Sequence, residues 1–308
     1  MTRDLNAHAA KIGKQNKIAT VILTVIVGLV LALLAAIIVF IMAKGMGVMV
    51  SPGFLTNSPL DSDNPGICFE IFDSFYMLFW TLLFSVPISL GAAVFLVEYA
   101  PENWVTSAAK TAIETLSSLP SIVVGMFGSL FFVIVCNFHV SILSGSLALT
   151  MFNIPILVRT IQQALEDVPR SQRDASLAMG LTRWETTNKI LMPAAMPAIV
   201  TGVVISAGRV FGEAAALIFT SGSAPARLNF ASTNFASPTN PWNIFRPAET
   251  MAVHIWKLHT DPFSGTTAFN SSDAIAWGTA AMLVLCVLLF NVLARVLGKA
   301  LAKKMTAE

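Results

Sequence analysis

An arginine and a glutamate lie four residues apart within one long apolar stretch of the sequence. The stretch covers residues 194–221, and Arg209 and Glu213 are its only charged residues. About 20 apolar residues are enough for a helix to cross the hydrocarbon layer of a membrane, so Arg209 is predicted to lie deep inside one. A charge at that depth costs about 2.5 to 3.5 kcal/mol, and such residues usually face a protein interior or a water-filled pathway.

The chemistry that this pair offers is the binding of an oxyanion. A guanidinium group is always charged, and its planar fork forms paired hydrogen bonds with anion oxygens. Residues i and i+4 of a continuous helix share one face, so Glu213 is expected to offset the charge of Arg209 and to orient its side chain. Two interpretations stay open: Arg209 contacts a transported anion, or it forms a structural ion pair with Glu213.

The composition places the chain among multi-pass membrane proteins. Hydrophobic residues make up 55% of its 308 residues and charged residues only 12%, whereas soluble domains carry about 25% charged residues. The net charge of +2 comes from basic residues that are dispersed over several loops. This dispersal argues against nucleic acid as a partner and leaves membrane lipid as the expected surrounding.

Neither the cysteines nor the loop histidines have the spacing of a metal site. Three cysteines are far apart in the sequence: Cys68, Cys136 and Cys286. They are expected to be buried apolar thiols rather than metal ligands or disulfides. Three histidines lack a partner at ligand spacing and are interpreted as ordinary loop residues: His139, His254 and His259.

Six apolar segments predict an all-α protein with six transmembrane helices. They cover residues 18–43, 71–97, 116–136, 140–158, 194–221 and 274–297. With an even number of spans, both termini lie on one side, and the excess of Lys and Arg in cytoplasmic loops identifies that side. A cytoplasmic N-terminus places fourteen basic residues inside and four outside, so both termini are predicted to be cytoplasmic.

The segments divide the chain into tails, loops and a transmembrane domain. The predicted units are a cytoplasmic tail 1–17, a first span 18–43, an outer loop 44–70, a transmembrane domain 71–297 and a tail 298–308. The domain contains an inner loop, 162–193, and a long outer loop, 222–272, that is rich in proline. The outer loop either docks a partner or folds back on the helices. Three prolines each remove a backbone hydrogen bond inside an apolar segment and are predicted to kink its helix: Pro87, Pro120 and Pro155.

A second arginine lies at the inner end of the fourth segment. Arg159 comes directly after the last apolar residue of that segment, and Glu114 lies near the inner end of the third. The long side chain of Arg159 either extends to the membrane interface or lines the inner mouth of a pathway for an anion.

The inner loop has the local chemistry of two short helices. Pro169 suits the start of a helix and Gly180 suits the residue after its end, so residues 169–179 are predicted to form the first one. Thr182 and Glu185 form a capping box for the second, which is predicted to run to Leu191. A compact helix with small side chains on such a loop can enter a groove on another protein.

This loop resembles the EAA loop of the permease subunits of ABC importers. That motif is Glu-Ala-Ala, three residues, Gly, nine residues and Ile-x-Leu-Pro, and the sequence keeps its spacing from Asp174 through Gly180 to Pro193. The resemblance implies a coupling helix that fits a cleft on an ATPase subunit. The residues implied for this contact are Asp174, Ala175, Ser176, Ala178 and Gly180.

A narrower resemblance is to the permease subunits of phosphate-transport (Pst) systems, and to the A rather than the C subunit. It rests on residues 119–127, 154–160 and 209–215. It implies the type I ABC importer permease fold in a bacterial cytoplasmic membrane, and a phosphate pathway lined by Arg209, Glu213 and Arg159. The implied partners are a second permease subunit of the C type, two ATPase subunits that use ATP and Mg, and an extracytoplasmic phosphate-binding protein.

Other functions remain as alternatives. A permease for sulfate or molybdate would share the inner loop and differ along the pathway. The sequence contains no GxxxxGK[ST] phosphate-binding loop, so the chain is expected to bind no ATP and to carry no cofactor of its own. An intramembrane enzyme is disfavoured because no HExxH, paired catalytic Asp or Ser/His arrangement occurs within the apolar segments.

Overall fold

A computed structural model of the protein describes residues 2–61, 64–224, 227–262 and 271–306, and every regular element within these ranges is helical. The helices are α1 (Thr2–Met49), α2 (Cys68–Val94), α3 (Trp104–Ser117), α4 (Ser121–Gly128), α5 (Ile142–Glu166), α6 (Arg170–Ala178), α7 (Arg183–Thr186), α8 (Met192–Phe211), α9 (Ala215–Thr220), α10 (Met251–Thr260) and α11 (Ser272–Thr306). Three wider π-helical turns follow α2, α4 and α7: Phe95–Tyr99, Ser129–Val135 and Thr187–Leu191.

Five helices in the described ranges are long and apolar enough to cross a membrane. They cover Gln15–Met49, Cys68–Tyr99, Ile142–Glu166, Arg183–Phe211 and Ser272–Val296. The third apolar segment begins at the end of α3 and continues through α4 to Val135; these two helical pieces meet at an angle of 101° and make a sixth span when they are counted as one. The prediction of an all-α protein with six apolar transmembrane segments is therefore confirmed, although two of the segments are not single helices.

The first of these two breaks lies at Pro120. The sequence predicts one helix through this proline, but α3 ends at Ser117 and α4 begins at Ser121. Pro120 is the extended residue before α4, with ψ 135°. A proline disfavours the helical conformation for the residue before it, which favours a break in the helix at this position. Pro87 and Pro155 do lie inside helices, as predicted.

The second break lies at Gly212. The stretch 194–221 is predicted to be one helix, but α8 ends at Phe211 and α9 starts at Ala215. In the other direction the helix is longer than predicted, because the helical stretch that begins with α7 at Arg183 continues through Pro193 into α8. A π-helical turn, in which the Met192 N–H donates to the Thr187 carbonyl, joins α7 to α8. Such a widened turn accommodates the missing N–H of a proline without ending the helix.

The centre of the bundle is α5, which packs against both α2 and α8. Small polar side chains are buried between these helices, and the Asn153 Nδ2 donates to Ser85 Oγ over 3.1 Å. The Oδ1 of the same Asn153 accepts a hydrogen bond from the Ser206 hydroxyl of α8. This asparagine therefore joins three helices at one level of the bundle. The helix α11 packs against α1, α8 and α10.

The loops and cysteines differ in detail from the predictions. The helix α5 continues to Glu166, so the inner loop begins at Asp167 rather than at Gln162. All three cysteines are free, but only Cys286 is buried, because Cys68 and Cys136 are half-exposed.

Candidate functional site

Arg209 lies in the last turn of α8, on a face that the isolated subunit leaves exposed. Its guanidinium carbon is 4.2 Å from the centre of the Phe152 ring, which belongs to α5 and is 4% exposed. A cation over an aromatic face at this distance is held by the ring's quadrupole. Ile205 and Thr201 lie on the same exposed face of α8, one and two turns before Arg209 respectively. The guanidinium is thus positioned by α5 and free on its other side.

Glu213 does not pair with Arg209. It lies in the break after α8, where its carboxylate accepts a hydrogen bond from the Ala216 N–H over 3.3 Å. Among the described residues, no ion pair joins Arg209 to an acidic side chain. The predicted i, i+4 pairing is wrong because the helix ends at Phe211, so the two residues do not share a helix face.

The sequence did not reveal the polar layer behind Arg209. Asn153 is the neighbour of Phe152 on α5, and its hydrogen bonds to Ser85 and Ser206 fix α2 and α8 against α5 at this level. A buried asparagine in an apolar segment was the available signal, since it needs partners from other helices. The layer holds Phe152, and with it the guanidinium, in one place.

Arg159 lies on the exposed side of α5, seven residues after Phe152, which is about 10 Å along the helix axis. Its Nη1 forms an ion pair of 2.6 Å with Glu114 of α3, and both side chains are about half exposed at 49% and 58%. The surrounding cleft is polar and is lined by Lys110, Gln162, Gln163 and Glu166. Arg159 therefore has an acidic partner, which distinguishes it from Arg209.

The first inner-loop helix forms as predicted, but it is one residue shorter at each end. Pro169 is the extended residue before α6, and Gly180 follows its end with φ +85°. The Leu181 N–H donates to the Ser176 carbonyl over 3.2 Å, and the Gly180 N–H to the Leu177 carbonyl over 3.0 Å. Glycine suits this left-handed position because it has no Cβ to clash.

The residues expected at a coupling surface do not all point the same way. Four of them are exposed on α6 or directly after it: Asp174, Ala175, Ala178 and Gly180. Ser176 is only 1% exposed, and its hydroxyl donates to the Arg173 carbonyl over 2.7 Å and to Thr186 Oγ1 over 3.0 Å. Ser176 therefore holds α6 against the helix that follows, whereas the other four are free to meet a partner.

The second inner-loop helix has the predicted capping box. The Thr182 N–H donates to Glu185 Oε2 over 3.1 Å, and the Glu185 N–H donates to Thr182 Oγ1 over 3.2 Å. Beside it, Trp184 is 63% exposed and Met179 is 75% exposed. These two large side chains flank the small residues of α6, so the loop presents a mixed apolar surface.

An ion pair that the sequence did not reveal joins α6 to the second span. Arg173 donates from its Nη2 to Glu98, which lies in the π-helical turn after α2 and is 7% exposed. The two residues are 75 positions apart, which is why spacing gives no hint of the contact. Helix α6 is thus held to α2 by this ion pair and is linked to α8 by the backbone that runs through α7.

One histidine prediction is wrong. His254 is not an ordinary loop residue, since it lies on α10, is 6% exposed, and contacts two buried carboxylates, Glu70 and Glu249. His259 also lies on α10 rather than in a loop, but it is exposed, and its ring nitrogen bonds to the Ile255 carbonyl over 2.8 Å. The cluster around His254 lies at the end of the bundle opposite α6.

Comparisons with known proteins agree on one family. Residues 85–307 match the family described as binding-protein-dependent transport system inner membrane component. The probable ABC transporter permease protein YqgI of Bacillus subtilis (strain 168) is 47% identical over 269 residues, which are 87% of this chain and 90% of that protein. The phosphate transport system permease protein PstA of Yersinia pestis is 31% identical over 240 residues, 78% of this chain and 74% of that protein.

A solved structure shows the same fold. An inward-facing form of the MetNI methionine ABC transporter superposes with a TM-score of 0.55 and 18% identity over 75% of this chain and 94% of that one. The helical order described above is therefore the type I ABC importer permease fold. With a family match over most of its length and relatives above 30% identity, the chain belongs to the inner membrane components of binding-protein-dependent transport systems, and within them to the PstA-like ABC permeases.

Proposed function

We propose that the chain is a permease subunit of an ATP-driven importer of inorganic phosphate. The observation that carries the proposal is Arg209: a guanidinium on a membrane-spanning helix, held on one side by Phe152 and without an acidic partner among the described residues. Such a charge is costly in a membrane unless an anion or water meets it. Relatives of this chain are phosphate transport permeases, and phosphate oxygens match a guanidinium fork.

The proposed pathway runs along the exposed face of α8, where a second permease subunit of the C type would complete it. Arg209 binds the anion, Glu213 lies beyond it in the break and keeps the anion from being held too tightly, and Arg159 lies nearer the inner mouth. Because Arg159 already pairs with Glu114, it offers a weaker attraction than Arg209 does. An anion would then pass from a strong site to a weaker one on its way inward.

The proposed energy source is a pair of ATPase subunits that bind ATP and Mg, with no cofactor in this chain. They meet α6 through Asp174, Ala175, Ala178 and Gly180, while Ser176 transmits the contact to α7. The continuous helix from Arg183 to Phe211 has 29 residues and is about 43 Å long. A push on α6 would therefore reach Arg209 through one rigid element.

The proposed setting is a bacterial cytoplasmic membrane with both termini and α6 on the cytoplasmic side. On the other side, an extracytoplasmic phosphate-binding protein delivers the anion to the outer loops. A permease for sulfate or molybdate is the second candidate, because a guanidinium recognises any tetrahedral oxyanion by the same hydrogen bonds.

The test is uptake of radiolabelled phosphate by cells that carry Arg209→Ala, with Thr201→Ala as the matched control on the same face. We expect the arginine variant to lose uptake while its complex still assembles, and Arg209→Lys to recover only part of it because an ammonium lacks the planar fork. The control should transport normally. Undiminished uptake by Arg209→Ala would refute the assignment, and stronger competition by sulfate or molybdate than by unlabelled phosphate would favour the second candidate.

A further inference from the structure

Three side chains that can ligate a metal converge at the end of the bundle opposite α6. They come from the start of α2, from the segment before α10 and from α10 itself: Glu70, Glu249 and His254. Their potential ligand atoms all lie within 4.8 Å of one another. All three residues are buried, at 0%, 1% and 6% exposure. Glu249 and His254 are five residues apart, but Glu70 lies on a helix far away in the sequence, so only the fold brings all three together.

The carboxylate of Glu70 is the unexplained member of this cluster. Both of its oxygens are buried and neither has a hydrogen-bond partner. A buried carboxylate without a partner costs several kcal/mol, so its environment is expected to supply a cation or a proton. The nearest basic group is the ring Nδ1 of His254, 3.7 Å from Glu70 Oε1. This distance is too long for a hydrogen bond and leaves space between the two groups.

The other charges nearby do not neutralise Glu70. Arg246 is occupied by a buried ion pair with Asp73. Lys257 lies 3.5 Å from Glu249 Oε2 and is 31% exposed, so its single charge is shared between Glu249 and the nearby Glu70. The cluster therefore contains one more buried carboxylate than the lysine and arginine side chains around it can balance.

The distances fit a small divalent ion. Ligand atoms of a tetrahedral zinc site, with bonds of about 2.0 to 2.1 Å, lie about 3.3 Å apart. The Nδ1 of His254 is 2.8 Å from Glu249 Oε1 and 3.7 Å from Glu70 Oε1, and these values bracket that separation. An imidazole with two carboxylates is a ligand set that zinc and related transition metals accept.

The supporting structure is already in place. The Ser74 hydroxyl donates to the Glu70 carbonyl over 2.7 Å and accepts from the Met251 N–H over 2.9 Å, which fixes the start of α10 to α2. The Arg246 to Asp73 pair lies beside this contact. Ligands held by such a frame lose little freedom when a metal binds.

We propose that Glu70, Glu249 and His254 form a binding site for a divalent transition-metal ion of the zinc type, which joins the outer loop before α10 to the second span. The ion replaces the proton on His254 Nδ1 and provides Glu70 with the partner that it lacks. Its role is structural, because the site lies at the opposite end of the bundle from the loop that meets the ATPase and apart from the exposed face that carries Arg209. The proposal does not depend on which anion is transported.

The experiment measures cobalt binding to the assembled importer, purified with a tag that contains no histidine and treated with a chelator beforehand. Cobalt(II) takes zinc sites and reports its coordination through visible absorption. Wild type should bind one ion per copy of this chain at this site, and added zinc should displace it. His254→Ala and the isosteric Glu70→Gln should weaken cobalt binding at least about 100-fold. Losing a metal ligand lowers the affinity more than losing a residue that only supports a ligand.

The matched control is His259→Ala, which removes the exposed histidine of the same helix and should bind as wild type does. Metal held by the ATPase subunits contributes equally to all variants and cancels in the comparison. The proposal would be overturned if wild type and Glu70→Gln bound equal amounts of cobalt. It would also be overturned if wild type showed no cobalt absorption band that depends on His254. Because Glu70→Gln keeps the shape of the side chain, this result can be obtained even if His254→Ala fails to fold.

Discussion

At the scale of single residues, Phe152 is the side chain that sets the behaviour of Arg209. The ring is buried in α5 while the guanidinium above it is exposed, so one face of the cation is desolvated without being neutralised. The ring therefore fixes the position of the charge and leaves its hydrogen-bonding edge available.

Phe152→Leu should weaken anion binding without abolishing transport. Leucine keeps most of the buried apolar contact but removes the ring quadrupole, which is worth about 0.5 to 1 kcal/mol at such a site. We expect the apparent affinity for phosphate to fall about two- to fivefold, with the maximal rate of uptake little changed. Concentration-dependent uptake in cells measures both quantities. A variant with unchanged affinity would show that the ring does not position the guanidinium.

The sequence singles out Arg209 as a candidate site residue but predicts the wrong contacts for its neighbours, for a physical reason. An arginine in an apolar stretch can be recognised from the sequence because placing its charge in a membrane is costly. The partners of that arginine depend on where the helix ends. The helix ends at Phe211, so Glu213 turns to the Ala216 N–H. His254 was missed because Glu70, one of its two partners, lies on a different helix, and no local spacing records a contact that only the fold creates.

At the scale of helices, the inner loop is attached to the bundle at two points. The chain continues from α7 into α8, and Arg173 of α6 pairs with Glu98 at the end of α2. A movement of α6 is therefore shared between α2 and α8, two membrane-spanning helices that both pack against α5.

Charge reversal tests this second attachment. Arg173→Glu should leave two carboxylates facing each other in a largely buried site and should reduce phosphate uptake by about tenfold or more, because breaking such a pair costs about 3 to 5 kcal/mol. The double variant Arg173→Glu with Glu98→Arg should recover a substantial part of the uptake. Arg183→Glu, an exposed arginine on the same loop, is the control and should have little effect. Failure of the double variant to recover any function would count against a specific pairing.

Hydropathy located the helices better than it located their breaks. The long apolar segments were predicted because lipid-facing helices leave large side chains exposed, as α1 does from Ile18 to Phe40. The breaks at Pro120 and Gly212 were not predicted, since prolines and glycines also occur within intact membrane helices. Pro87 and Pro193 lie within continuous helices of this very chain.

At the scale of the whole molecule, the long outer loop is held to the bundle by a buried charge pair. Arg246 is 1% exposed and donates to both carboxylate oxygens of Asp73 on α2, with a third contact to the Pro241 carbonyl at 3.1 Å. The open question of whether this loop folds back is thereby answered for the residues around Arg246. Exposed aromatic side chains of the same loop, among them Phe235 and Phe245, remain available to a partner.

Arg246→Ala should destabilise the assembled protein strongly. The variant leaves Asp73 buried and uncompensated, which costs about 3 to 5 kcal/mol. We expect a clearly lower melting temperature in detergent. The double variant Asp73→Leu with Arg246→Met removes both charges and should be considerably more stable than the single variant. Thermal denaturation of the purified complex gives the melting temperatures of wild type, the single variant and the double variant. If the single variant were as stable as wild type, the Arg246–Asp73 pair would be excluded as a stabilising contact.

The break after Phe211 has an electrostatic consequence of its own. The peptide dipoles of a helix sum to partial negative charge at its C-terminus and partial positive charge at its N-terminus. Arg209 lies in the last turn of α8, and Glu213 lies directly before α9 with its carboxylate on the Ala216 N–H. Each side chain is therefore next to the helix end of opposite polarity. Two opposite charges can thus be kept apart in a membrane, and an anion that reaches Arg209 has no ion pair to break first.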